Sequence, residues 1–196
     1  MAAPEKKDGR DRTLGTLTLA DMLAKLRWEV SEFKRLSEST NEDPNLPARY
    51  MAQNAASTAW HMTDWLVDYL DDKDLWPLFS EATAPVPPNK HNVKSWIRGS
   101  YAMLVCQQIA FAMKHVRIDD HAYEDGIFTE DTFLDVFGEV DEAGNVTRVS
   151  HTESKHYAVH KVVLKNAGKF SGTYELWVVL DTALAFWERL VALILS

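Results

Sequence analysis

The sequence predicts a mainly α, α+β fold: a four-helix core with a small antiparallel three-stranded sheet inserted before the last helix. Two observations predict this fold. Apolar residues recur at helical spacing in four long stretches of the chain. Between the third and fourth stretches, at about 126–165, the chain is richer in valine, threonine and aromatic residues, which are typical of strands.

The first two predicted helices are separated by a loop that contains asparagine and proline. Helix one begins at Thr18, where Asp21 gives an acidic first turn, and it runs to about residue 39. Helix two covers about residues 48–70. Pro47 suits the first turn of this helix, because the N–H that proline lacks would have no partner there.

The second half of the chain is predicted to alternate between helix and sheet. A proline-rich connection leads into helix three, at about 93–116. The helical period returns at Thr173 and continues to the end, which predicts a fourth long helix. Between these helices the strand-like composition predicts three strands, at 132–140, 146–151 and 155–164.

Length and composition place the chain in the ordinary globular class. With 196 residues, 46% hydrophobic and 26% charged, it predicts a single domain over 14–196 that follows a disordered tail at 1–13. No stretch approaches the ~20 consecutive apolar residues of a membrane span. The single cysteine, Cys106, allows neither an intrachain disulfide nor a cluster of zinc thiolates. We therefore expect a cytoplasmic protein without a membrane partner.

The charge of the chain bears on its partners. A formal net charge of -8 repels phosphate backbones, and the sequence contains no basic patch that would offset this repulsion. The expected partner is therefore a protein or a small molecule rather than a nucleic acid. No cofactor motif is found, and the glutamate-rich pattern of di-metal helical bundles is missing, so the sequence predicts neither a cofactor nor a metal.

Two helical stretches carry no charged residue in their middles. There is no Asp, Glu, Lys or Arg between Arg49 and Asp64, nor between Arg98 and Lys114. Surface helices normally carry a charge at every turn or two. We therefore predict that the middles of helices two and three are shielded from water, and that their polar side chains face the interior of the bundle.

The candidate site consists of polar residues that align on these two helices. Interior polar groups each cost ~1–3 kcal/mol when they lack a partner, so they must pair with each other or bind a ligand. The predicted ligand-binding residues are the aligned groups without an assigned acid–base role, together with one tryptophan beside them that can stack on a ligand: Asn54, Thr58, Trp65, Gln108 and Lys114.

Three residues of the same set are the candidate catalytic groups. Asp64 follows His61 by three residues on one helix face, where a carboxylate can orient the imidazole and raise its basicity. His115 on the facing helix can complete an acid–base pair. The alternative interpretation is a satisfied polar network that only fixes the register of the helices.

The same residues carry a resemblance. The string Ala59-Trp60-His61-Met62-Thr63-Asp64-Trp65, followed about fifty residues later by Lys114-His115, resembles a pattern in small bacterial and phage-encoded proteins of unassigned function that are described as helical bundles. It spans helices two and three, about a third of the chain. The resemblance implies a bundle fold and favours His61, Asp64 and His115 over the other polar residues, but it implies no activity.

Two functions from different classes follow. The first is a binding or regulatory protein, borne by a phage or mobile element, with a polar pocket between the central helices. It is favoured because the sequence contains no nucleophile–base pair, phosphate loop or complete metal set. The alternative is a hydrolase or nuclease-like enzyme in which His61 is the base, His115 the acid and Lys114 an anion-stabilising group. The sequence leaves open whether the protein is an enzyme, and what its oligomeric state is.

Overall fold

A computed structural model describes the chain in nine segments: Gly15, 18–37, 45–83, 89–114, 127–137, 139–140, 146–148, 154–164 and 172–195. Within these segments the fold is mainly helical, as the periodicity predicted. The helices are α1 (Leu19–Ser37), α2 (Asn45–Asp72), α3 (Trp76–Ala82), α4 (Val93–Ile97), α5 (Tyr101–Lys114) and α6 (Leu176–Leu195). The strands are β1 (Ile127–Phe137), β2 (Glu139–Val140), β3 (Val146–Arg148), β4 (Ser154–Leu164) and β5 (Gly172–Glu175).

The start of α1 confirms the predicted helix N-terminus down to its side chains. The backbone N–H of Thr18 donates to Asp21 Oδ2 at 2.9 Å, and the backbone N–H of Asp21 donates to Thr18 Oγ1 at 3.1 Å. Each side chain thus satisfies an N–H that the helix leaves without a partner. The apolar residues predicted to share one face of this helix are buried from Leu19 to Phe33.

The second helix lies at the centre of the bundle, because it contacts α1, α5 and α6 and also the two short helices α3 and α4. On one side, Thr58 accepts a hydrogen bond from Lys25 of α1. On another side, the indole Nε1 of the fully buried Trp187 of α6 donates to the Ala59 carbonyl oxygen at 2.9 Å. The alanines of α2, among them Ala55 and Ala59, are buried and allow this close packing.

The predicted third helix is wrong in one respect, because a tight turn at residues 98–100 divides it into α4 and α5. The backbone N–H of Gly99 donates to the Trp96 carbonyl at 2.9 Å, a three-residue spacing that replaces the four-residue spacing of an α-helix. A Cβ atom at Gly99 would lie 2.8 Å from that same carbonyl oxygen. The turn therefore depends on the missing side chain of this glycine.

The strands pair differently from the predicted sheet of segments 132–140, 146–151 and 155–164. β1 and β4 are antiparallel, from Ile127 opposite Leu164 to Phe137 opposite Ser154, and β5 adds to the other edge of β4. The predicted middle strand contributes only β3, which pairs with the two-residue β2. The last helix was predicted to begin at Thr173, but residues 173–175 belong to the strand β5 instead, and the helix begins at Leu176. Pairing partners separated by long stretches of chain are set by tertiary structure rather than by local composition.

Among the described residues, none of the helices combines the length and the apolar character that crossing a membrane requires.

Candidate functional site

A cleft of about 550 Å³ opens between α2, α4 and α5. Its size falls within the range of ordinary small-molecule sites. Three helices line it with a mixture of charged, polar and aromatic side chains: Ser57, Trp60, His61 and Asp64 from α2, Lys94, Ser95 and Arg98 from α4 and the turn after it, and Gln107, Ala110, Phe111 and Met113 from α5.

The short α4 directs two cationic residues toward the cleft. Its buried residues are Val93 and Ile97, and the half-buried Trp96 packs edge-on against Phe79, with a ring-centroid distance of 6.0 Å. Lys94 and Arg98 follow each other at a spacing of four residues, so they share one face of this short element, next to the buried face that carries Val93 and Ile97. The aromatic anchoring of α4 therefore determines where the cations lie.

An ion pair closes one side of the cleft. Lys94 Nζ lies 2.6 Å from Asp64 Oδ1 and joins α4 to α2. The two side chains are 55% and 63% exposed, so water screens their attraction and the pair adds at most about 1 kcal/mol to stability. Its main consequence is geometric, since it holds a carboxylate and an ammonium at the edge of the cleft.

Gln107 brings to the cleft lining a buried side chain whose carboxamide oxygen has no hydrogen-bond partner among the described residues. The residue is 7% exposed, and its Oε1 atom makes no hydrogen bond with any described residue. An unsatisfied buried amide oxygen costs about 1–3 kcal/mol. The next residue, Gln108, is also buried, but it does have interactions with its surroundings. Two adjacent glutamines on one helix thus differ in their hydrogen bonding. The Oε1 atom of Gln107 has no partner among the described residues, whereas Gln108 has interactions there.

The wall of the cleft on α5 is apolar. Trp60 of α2 and Phe111 of α5 meet edge to face, with ring centroids 6.2 Å apart and an interplanar angle of 84°. Met113 lies beside them and accepts a hydrogen bond from Ser57 Oγ at 3.3 Å. The cleft therefore presents charged groups on α4 and an aromatic surface on α5.

The structure corrects the predicted burial of His61 and Asp64. Both side chains are exposed, although the charge-free middle of α2 predicted that they face the interior. The prediction was wrong because uncharged polar residues such as Asn54 occupy exposed positions in the charge-free middle of this helix, and such residues are well solvated without a charge. Within the described part of the chain no hydrogen bond joins His61 to Asp64, whose carboxylate pairs with Lys94 instead.

The remaining predicted binding residues do not gather at one place. Asn54 is exposed and Trp65 is half-buried, and neither lines the cleft. Thr58 is buried, but its hydroxyl oxygen faces α1, where Lys25 donates to it. Gln108 is buried outside the cleft lining. The cleft therefore contains His61 and Asp64 of the predicted set, and the neighbouring predicted residues belong to other surroundings.

Two predicted residues fall at the limit of the described chain. Lys114 is the last residue of α5, and the placement of its side chain is not described. His115 lies outside the described residues. The acid–base roles assigned to His61, Asp64, His115 and Lys114 consequently stay predictions.

Sequence reasoning missed Lys94, Arg98 and Gln107. The spacing of Lys94 and Arg98 was a usable signal, because residues four apart lie on one helix face. Gln107 carried no such signal, since its residue type and spacing do not distinguish it from Gln108. Only the tertiary structure shows that Gln107 Oε1 has no hydrogen-bond partner among the described residues, whereas Gln108 has interactions there.

The described residues give little support to catalysis by a cysteine thiol or to the binding of a metal ion. Burial raises the pKa of the Cys106 thiol to about 12, so this thiol stays protonated and weakly nucleophilic at neutral pH. In the described segments no group of three or more His, Cys, Asp or Glu side chains is arranged to hold a metal ion.

Comparison of the chain with protein-family models, with curated proteins and with solved structures finds no match. The resemblance of the Ala59–Trp65 string to bacterial and phage-encoded helical bundles therefore stays a prediction.

Proposed function

We propose that the protein binds a small polar molecule in the cleft between α2, α4 and α5. The observation that carries this proposal is the buried Oε1 of Gln107, which has no hydrogen-bond partner among the described residues, although the Gln107 side chain belongs to the lining of an open cleft. Because Oε1 itself is shielded, a ligand with an N–H or O–H group would satisfy it only after the Gln107 side chain rotates toward the cleft, and this contact would remove the desolvation cost of the oxygen. Binding sites commonly combine an apolar wall with a few such polar groups.

The setting of Gln107 supports a binding site over a packing fault. Its carboxamide belongs to a lining that also includes the Lys94–Asp64 ion pair and the edge-to-face pair of Trp60 and Phe111. Charged, hydrogen-bonding and aromatic groups thus surround one opening of about 550 Å³. These groups can recognise different parts of one small molecule. A regulatory role would follow if occupancy of the cleft changes how α4 packs on α2.

The two adjacent glutamines provide a matched test. In Gln107→Leu an apolar side chain replaces an amide whose Oε1 has no hydrogen-bond partner among the described residues, so we expect the free energy of unfolding to rise by about 1 kcal/mol. In Gln108→Leu an amide that has interactions is lost, so we expect a decrease of about 1–3 kcal/mol. Urea titrations of the two variants beside the parent protein measure both changes.

Binding is measured on the same proteins. Proton–nitrogen correlation spectra are recorded during titration with sugars, amino acids, hydroxy acids and primary amides. We expect at least one class to shift the resonances of cleft residues in the parent protein and in Gln108→Leu, and this shift to be lost in Gln107→Leu. The proposal is overturned if no class shifts the cleft, or if Gln107→Leu destabilises the protein as much as Gln108→Leu does.

A further inference from the structure

We infer that Met113 is a site of reversible oxidation by hydroperoxides, and that its sulfoxide changes what the cleft between α2, α4 and α5 binds. This inference names a means of regulating the cleft, so its consequence for binding rests on the proposed function. Three observations carry it: the exposure of this thioether, its hydrogen bond from Ser57, and its place in the apolar wall of the cleft.

Met113 is the most exposed of the methionines that the structure describes. Its exposed fraction is 48%, whereas those of Met22, Met62 and Met103 are 8%, 0% and 0%. Met51 is partly buried and packs against the hydrophobic core. A peroxide must reach the sulfur atom to oxidise it, so a buried methionine reacts only when the fold opens locally. Met113 reacts without such an opening.

The oxidation needs a hydroperoxide as its only co-reactant. A lone pair of the Met113 Sδ atom attacks the terminal oxygen of the peroxide, an S–O bond forms and the O–O bond breaks. The sulfur is oxidised and the peroxide is reduced, while the proton of the transferred oxygen passes to the leaving group, which departs as an alcohol or as water. Methionine sulfoxide reductases return the sulfoxide to the thioether, so the modification is reversible.

The hydrogen bond from Ser57 gives the sulfoxide a partner. Ser57 Oγ donates to Met113 Sδ at 3.3 Å and so links α2 to the end of α5. A thioether sulfur is a weak acceptor, whereas the oxygen of a sulfoxide is polar and accepts strongly. Because the methionine side chain is unbranched and flexible, this oxygen can turn toward the Ser57 hydroxyl. Oxidation therefore strengthens the contact between the two helices beside the cleft.

The apolar wall of the cleft gives the oxidation a consequence for binding. Met113 lines the cleft together with Trp60, Ala110 and Phe111. A sulfoxide places a polar group in this wall, so the apolar part of a ligand loses a matching surface. We expect the oxidised cleft to bind a molecule with an aromatic ring less tightly than the reduced cleft does.

Oxidation of the full chain with dilute hydrogen peroxide tests the site in the absence of any ligand. Proton–carbon spectra of protein labelled at the methionine methyl groups follow each residue separately, because a sulfoxide methyl group has its own resonance. We expect Met113 to be oxidised at least about tenfold faster than Met62 and Met103. Met113→Leu assigns its resonance. Met51→Leu, which replaces a partly buried methionine outside the cleft lining, is the matched control and should leave the oxidation of Met113 unchanged.

Thermal melting of the reduced and oxidised proteins tests the contact with Ser57. Because the sulfoxide makes the stronger hydrogen bond, Ser57→Ala should lower the Tm of the oxidised protein by about 2–4 °C and that of the reduced protein by less than about 1 °C. Treatment with peroxide should leave the effect of Ser57→Ala unchanged in the Met113→Leu background, and should alter it in the Met51→Leu background as it does in the parent.

Benzamide, which combines a primary amide with an aromatic ring, is the probe for binding. Its Kd, measured from the shifts of cleft resonances, should rise at least about threefold on oxidation. The inference is overturned if Met113 is oxidised no faster than Met62 and Met103, or if Ser57→Ala has the same effect in both states. Benzamide shifts that are equal in the two states, or missing from both, show that oxidation does not regulate the cleft. The glutamine variants are measured without peroxide, so they decide the proposed function separately.

Discussion

The middles of α2 and α5 both lack charged residues, but only the middle of α5 is buried on all sides. In α5 every residue from Ala102 to Gln108 is buried. In α2 the alanines are buried, but Asn54 and His61 are exposed, and Ser57 is half-buried. The two helices differ in the kind of uncharged residue in their middles. Those of α5 are mainly aliphatic, whereas α2 also has neutral polar residues there. A charge-free helix therefore indicates burial only where the uncharged residues are also apolar.

The largest expected effect comes from placing the same charge on each helix. Val105 of α5 is fully buried, so Val105→Lys should lower the free energy of unfolding by about 4 kcal/mol or more, or prevent folding. Asn54 of α2 is exposed, so Asn54→Lys should change it by less than about 0.5 kcal/mol. Urea titration measures both. Similar losses in the two variants would show that α2 is as enclosed as α5.

A smaller effect is expected where α2 meets α1. Lys25 donates to the Thr58 hydroxyl and pairs with Glu29, a buried carboxylate whose Oε2 atom has no partner among the described residues. Lys25→Met leaves that carboxylate without its cation, so we expect a loss of about 1–3 kcal/mol, moderated because Lys25 is itself half-exposed.

The double variant Lys25→Met, Glu29→Leu provides the control for this prediction. It removes the buried charge together with its partner, and most of the lost stability should return. If the double variant is less stable than Lys25→Met alone, Glu29 stabilises the fold even without its cation, and the expected desolvation cost of Glu29 is wrong.

The smallest expected effect is that of His61→Ala. Because this side chain is exposed and makes no hydrogen bond with the described residues, its removal should change stability by no more than about 0.5 kcal/mol. A polar network between the helices would instead lose about 1–3 kcal/mol, since the partners of His61 would be left unpaired. Thermal melting of this variant distinguishes the two cases.

The sequence predicted local structure well and tertiary surroundings less well. The capping of α1 by Thr18 and Asp21 depends on four consecutive residues, so it was available from the sequence. The division of α4 from α5 was not, because a glycine inside a helical pattern is often tolerated and the decisive contact is with the Trp96 carbonyl. Likewise, the sequence placed His61 and Asp64 on one helix face but did not show that α4 supplies the cation beside them.

The turn at Gly99 sets the relative positions of α4 and α5, which form two walls of the cleft. It joins the element that carries Lys94 and Arg98 to the helix that carries Gln107, and it exists because a hydrogen atom stands where other residues have a methylene or methyl group. The spacing between the cations and the amide thus depends on a close backbone contact at Gly99, which is not one of the residues that line the cleft. Evolution or design could alter the size of the opening at this single position while leaving every lining residue in place.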